Sequence, residues 1–163
     1  MLAIVLLAGC QQDAPTRSQL FDALIQPDQG QFRSHSLGQS LAEVRKAEPL
    51  QPTLEDEWGL VYDLPLAGVG EATLEYFAYP TDSTKLLAGM VANISLPGEV
   101  EASQLYRELQ DWLDARYEVP DGRFGNYRWE VPAENTEVVL RLMDSKTAIS
   151  LNYYRPQQTP IAQ

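Results

Sequence analysis

Leu60-Val61-Tyr62-Asp63-Leu64 is the stretch on which the fold turns. It has the period of a strand, and Pro65 with the Gly68-Val69-Gly70 turn ends it. Thr73-Leu74-Glu75-Tyr76-Phe77-Ala78-Tyr79 follows as a second strand. Pro80-Thr81-Asp82-Ser83-Thr84 carries turn chemistry, and a nearly continuous apolar run from Leu86 to Leu96 makes a third strand. Three strands with short connections predict an antiparallel meander.

Working upstream, the period becomes helical. Ser40 with Glu43 three residues later forms a capping box, Leu41 and Val44 mark one face with Ala47 and the stem of Glu48, and Pro49 stops the element. A helix is expected over 40–48. Leu20-Phe21-Asp22-Ala23-Leu24-Ile25 suits one or two further amphipathic turns, ended by Pro27 and Gly30. Downstream, the longest helix is expected from Glu101 to Tyr117, with Leu105, Leu109, Trp112, Leu113 and the stem of Arg116 as its stripe. Three strands are then expected at 127–131, 136–143 and 147–154.

Helix followed by three strands thus occurs twice. Val61-Tyr62-Asp63-Leu64-Pro65 parallels Arg128-Trp129-Glu130-Val131-Pro132, and the turn Asp82-Ser83-Thr84-Lys85 parallels Asp144-Ser145-Lys146-Thr147. The expected fold class is α+β, with two tandem helix-plus-three-stranded antiparallel meander units packed together over 20–97 and 98–155. A unit of this size is marginal alone, so two copies gain by sharing a core and covering strand edges.

The first ten residues set a different expectation. Residues 1–9 are apolar or small and lead into Leu7-Ala8-Gly9-Cys10. This resembles the lipobox of bacterial lipoproteins. The resemblance implies a signal peptide over 1–9, removal of those residues, and diacylglycerol on Cys10, leaving about 154 residues. The run is too short to span a bilayer, which takes about 20 apolar residues. No Lys or Arg precedes it, whereas signal peptides begin with a positive region; a start codon placed too late accounts for that. Residues 10–19 are expected to be a lipidated flexible spacer and 156–163 a frayed tail. Gln11 after the cysteine points to the outer membrane, on its periplasmic face.

The 163 residues carry a formal charge of −11, which repels phosphate backbones and anionic headgroups. Nucleic-acid binding is therefore not expected, and a basic partner is the sharper reading of the acidity. Cys10 is the only cysteine and His35 the only histidine, so neither a disulfide nor a zinc site is expected. Glu55-Asp56-Glu57 lacks the alternate spacing of a calcium loop and reads as a solvated loop. Ser34-His35-Ser36 places its groups too close in sequence for a nucleophile and base, and His35 reads as a surface or capping residue. Gly68-Val69-Gly70 precedes a strand and not a helix, so it is no phosphate loop. No catalytic residue, metal ligand or cofactor is expected, and the chain does not read as an enzyme.

Aromatic residues are the better candidates for a binding surface, since such side chains anchor interfaces. Trp58, Tyr76, Tyr79 and Trp129 are the candidate contact residues, with Trp58 in an acidic loop foremost. Leu37-Gly38-Gln39-Ser40-Leu41-Ala42-Glu43-Val44, followed by a turn to strands, resembles the opening of small outer-membrane lipoproteins of the SmpA/OmlA type. Glu48-Pro49 stands where that family has Gly-x-Pro. A tandem form of a similar unit occurs in β-lactamase inhibitory proteins. The resemblance implies an interaction module with an envelope protein as partner. The alternative reading is a carrier or sensor of a small ligand held in a cleft between the two units.

Overall fold

The computed structural model describes residues 17–156 except 82. The leader, Cys10, most of the spacer and the tail beyond 156 lie outside the described residues.

The described residues are α+β: they hold three α-helices and one eight-stranded antiparallel sheet. The elements are α1 (Gln19–Ile25), α2 (Leu41–Ala47), β1 (Leu54–Glu55), β2 (Gly59–Leu66), β3 (Gly70–Phe77), β4 (Gly89–Ser95), α3 (Glu99–Asp114), β5 (Asp121–Arg123), β6 (Asn126–Val131), β7 (Thr136–Leu142) and β8 (Ala148–Tyr154). The sheet order is β1-β2-β3-β4-β8-β7-β6-β5. Each half is therefore a meander of four strands, where three were expected. The extra strand is the short outermost one. Leu54–Glu55 pairs with Leu60 and Val61, and Asp121–Arg123 pairs with Asn126 to Arg128. Glu55 belongs to the stretch that reads as a solvated loop, because two or three residues show no period of their own; pairing to a neighbour makes such segments strands.

The halves meet at β4 and β8, which pair over seven residues from Gly89↔Tyr154 to Ser95↔Ala148. The seam is continuous sheet. Beneath it lie Met90, Ala92, Ile94, Ile149, Leu151 and Tyr153, all buried.

Strand parity fixes which face is covered. Leu60, Tyr62, Leu64 and Leu66 on β2, and Ala72, Leu74 and Tyr76 on β3, are buried at alternate positions. The helices pack on that face: α1 lies against β2 and α3, and α3 against β7 and β8. Side chains of successive residues point to opposite faces, so one row enters the core and the other remains outside.

Side-chain caps set the starts of α1 and α2, whereas α3 follows Gly98 without one and runs Glu99–Asp114, starting two residues before and ending three residues short of the expected Glu101 to Tyr117. Ser40 accepts from the Glu43 N–H and the Glu43 carboxylate accepts from the Ser40 N–H, the reciprocal box read from sequence. Ser18 accepts from the Phe21 N–H and donates both its N–H and its hydroxyl to Glu108 on α3, tying the start of α1 to the longest helix. Arg116 stacks over Trp112 at 4.3 Å and pairs with Asp28, which pins the loop after α1 to the end of α3.

His35 is 1% exposed and not at the surface. Arg33 and Ser34 take positive φ, and this turn folds the 27–36 loop back so that His35 packs edge-on against Tyr76 at 5.0 Å. Tyr76 and Trp129 are also 1% exposed. Both sit at core-facing parity, so neither belongs to a contact surface. Among the described residues no helix is long and apolar enough to cross a membrane.

Candidate interaction face

The helices cover one face of the sheet, and among the described residues no helix packs on the other face. Its side chains come from the odd-numbered residues of β2, β3 and β4, the even-numbered residues of β6 and β8, and the odd-numbered residues of β7. The strand register arranges them in rows. Gly59, Phe77, Gly89, Tyr154, Glu137 and Glu130 form one row, and Val61, Glu75, Val91, Asn152, Val139 and Arg128 the next. Asp63, Thr73, Asn93, Ser150, Arg141 and Asn126 form the third, and Pro65, Glu71, Ser95 and Ala148 the fourth.

Each row has its own character. In the first, Phe77 lies over Gly89, where a Cβ would overlap the ring. The glycine makes a seat for the aromatic. Tyr79 stands edge-on to Phe77 at 6.1 Å, with its hydroxyl donating to the Arg155 carbonyl at 2.9 Å. Tyr154 completes the band and donates to Glu137. The second and third rows are joined by a hydrogen-bonded ladder. Asn152 Nδ2 donates to Ser150 Oγ at 2.9 Å, Ser150 Oγ donates to Asn93 Oδ1 at 3.2 Å, and Asn93 Nδ2 donates to Glu75 Oε1 at 3.2 Å. Asn93, Ser150 and Asn152, with Ser95, Arg141 and Ala148, line an open hollow of about 280 Å³ at the β4–β8 seam.

Charge divides the face. On the β6–β7 side Arg128 pairs with Glu130 at 3.1 Å and with Glu137, so one cation is shared by the two carboxylates there. On the β2–β3 side Asp63, Glu71 and Glu75 surround Thr73. Among the described residues none of the three has an ion pair, and only Glu75 has a hydrogen-bonded partner, Asn93.

The sheet edges, in contrast, carry features that hinder pairing. Gly59 and Val61 turn their carbonyls toward β1 and its flanks, accepting from Asp56 and Thr53. Asp63 and Pro65 share that parity and face outward, and Pro65 has no N–H to offer. At the other edge β5 is three residues long and holds Gly122 at φ +114°. Short edge strands, a proline and a distorted strand are the usual ways of blocking added strands.

Neither a family model, a curated sequence nor a solved structure matches this chain. The face therefore has to be read from its own chemistry.

Of the four aromatic residues singled out from sequence, Tyr79 alone reaches this face. Trp58 is half-buried at the start of β2 and packs against the core, with Lys85 Nζ 5.3 Å above its ring. Trp129 donates its indole N–H to Asp114 at 3.0 Å from inside the core. Phe77, Tyr154 and the Asn93–Ser150–Asn152 ladder were missed. Their signal was present as strand parity: each has the same parity as a charged or polar residue on its own strand.

The chemically richest cluster is buried elsewhere, under the 27–36 loop. Glu48 receives Arg33 Nη2 at 3.1 Å on Oε1 and the Tyr76 hydroxyl at 3.1 Å on Oε2. His35 Nε2 lies 3.5 Å from Oε2 without hydrogen-bond geometry. Arg33 Nη1 donates to the Ala23 and Leu24 carbonyls at the end of α1. Burial alone raises the Glu48 pKa; the His35, Arg33 and Tyr76 side chains outweigh it and bring it down to about 2. Burial and the Glu48 charge push the Tyr76 hydroxyl well above its ordinary value. Every member is at most 5% exposed, so a substrate has no access and the cluster serves as a clasp between α1, the loop and β3. Among the described residues no three His, Cys, Asp or Glu side chains group as a metal site.

Proposed function

We propose that this chain is a lipoprotein of a bacterial envelope, held by lipid on Cys10 at the periplasmic face of the outer membrane. It works without catalysis, as a protein-interaction module that docks an envelope protein on the uncovered face of its sheet. The two halves of the sheet are tandem copies of one unit, each a helical segment followed by a meander, joined through their last strands β4 and β8.

The observation that carries this reading is the contrast between face and edges. Six strands present a broad surface that no described helix covers, while both edges carry features that hinder strand addition. A face that only needed solvation would not require an aromatic seated on a glycine beside two tyrosines; such groups are typical of protein contacts. The mirrored sheet order supports the tandem reading, as do the two sequence matches at 61–65 with 128–132 and at 82–85 with 144–147.

A photo-cross-linking residue at Asn93, in cells expressing the lipidated protein, tests the docking surface. A discrete protein adduct is expected at Asn93 and not at Arg107, which is exposed on α3. Adducts at Arg107 and none at Asn93 refute it. For the tether, Cys10→Ser in a gene supplied with a basic start region is expected to abolish palmitate labelling and to release the protein from the membrane fraction. Unchanged fractionation refutes the anchor.

A further inference from the structure

The acidic half of the uncovered face specifies the chemistry of what it binds. We infer that the partner presents a lysine- and arginine-bearing protein segment, seated across β2, β3 and β4 with its cations at Asp63, Glu71 and Glu75. This rests on the uncovered face being the docking surface and goes further by naming the partner's charge.

Three features support it. First, the three carboxylates stand around Thr73 on neighbouring strands, and no cation among the described residues answers them, whereas Glu130 and Glu137 on β6 and β7 share an ion pair with Arg128. Like charges directly or diagonally opposed on a sheet destabilise it, so an arrangement of this kind favours a complementary charge from outside. Second, Phe77 lies two residues along β3 from Glu75, half-buried over Gly89. A guanidinium or ammonium at Glu75 lies within reach of an aromatic ring, which adds a cation–π contact. Third, the chain leaves for Cys10 from the opposite side. Ser18 is bonded to Glu108 on α3, in the helical layer, and the eight residues from Cys10 to Arg17 span at most about 28 Å. A tether at Cys10 therefore joins the body in the helical layer, on the side opposite the acidic face. An anionic lipid surface is repelled by the same carboxylates, which leaves a basic protein as the occupant.

The test uses the full lipidated chain in detergent micelles. The probe is a fluorescent peptide of alternating lysine and serine with one central tryptophan; its counterpart carries glutamate for lysine. The triple variant Asp63→Asn, Glu71→Gln, Glu75→Gln is compared with a control of equal charge change, Glu99→Gln, Asp111→Asn, Glu118→Gln, on the helical side. The lysine peptide is expected to bind the unaltered chain and the control within about twofold, and the face variant about tenfold or more weakly. Its affinity is expected to fall as salt rises from about 50 to about 300 mM. Equal weakening in both variants reduces the effect to net charge and overturns the inference, as does failure of the lysine peptide to bind. Binding to phosphatidylglycerol vesicles in preference to the lysine peptide, weakened by the face variant and not by the control, overturns it in favour of a membrane contact. A cross-linked adduct at Asn93 with a partner whose capture the face variant leaves intact removes this inference while the docking reading stands; loss of every adduct at Asn93 removes both.

Discussion

Glu48 shows how one residue can be recognised in sequence and still be misjudged. Its place at the end of α2, before Pro49, marks it as the last residue of a helical face. Sequence gives no reason for it to meet Arg33, since their encounter depends on the backward turn at Arg33 and Ser34. Once formed, the pair is buried and each charge depends on the other. Glu48→Ala is expected to lower stability by about 3–5 kcal/mol, because Arg33 is left charged and unmatched in the interior. Urea denaturation measures this, and a loss below about 1 kcal/mol contradicts the clasp. The same group sets an acid limit. Its pKa is depressed from the usual 4.5 to about 2, so its contribution is fully present above about 4.5 and drains away as pH falls toward 2. Thermal melts of the unaltered chain are expected to drop across that window, and Glu48→Gln is expected to flatten this part of the profile.

At the scale of elements, capping was the most legible information. Ser40 and Glu43 read as a capping box from spacing alone, because the box is local and needs no tertiary partner. Ser40→Ala is expected to cost about 1 kcal/mol in chemical denaturation. Ser18 was passed over as spacer because half of its role is non-local. It caps α1 and also reaches Glu108 on α3, so Ser18→Ala is expected to cost more than an isolated cap, about 2 kcal/mol. A double-mutant cycle with Glu108→Gln checks that the two positions are coupled. Equal and additive effects contradict the tie between α1 and α3. Strand parity lies between these cases. Alternation along 60–66 and 72–78 says that one side is buried, yet the choice of Tyr76 and Trp129 as contact residues failed on that same alternation. Their aromatic character was weighed above the face on which period two places them.

At the scale of the whole molecule, the seven residue pairs between β4 and β8 make one sheet and one core from two halves. The described domain is therefore expected to unfold in a single cooperative step. Tryptophan fluorescence, reporting Trp58 in the first half with Trp112 and Trp129 in the second, is expected to coincide with far-ultraviolet circular dichroism. Two separated transitions contradict the shared core.

Sequence alone determined where helices begin, that strands run in meanders, and that one face of each strand is apolar, because these are local consequences of hydrogen-bonding side chains and of residue period. It carried the composition that makes the body acidic. Tertiary structure decided the rest. Pairing with Gly59–Leu66 made a strand of Leu54–Glu55, the β4–β8 seam joined two meanders, and all three helices went to one face. The charge pattern of the open face follows from register, which sets Asp63 and Asn93 beside Thr73 although each is ten or more residues away in the chain. Such neighbours are chosen by strand pairing across the sheet, and no local signal in the chain encodes them.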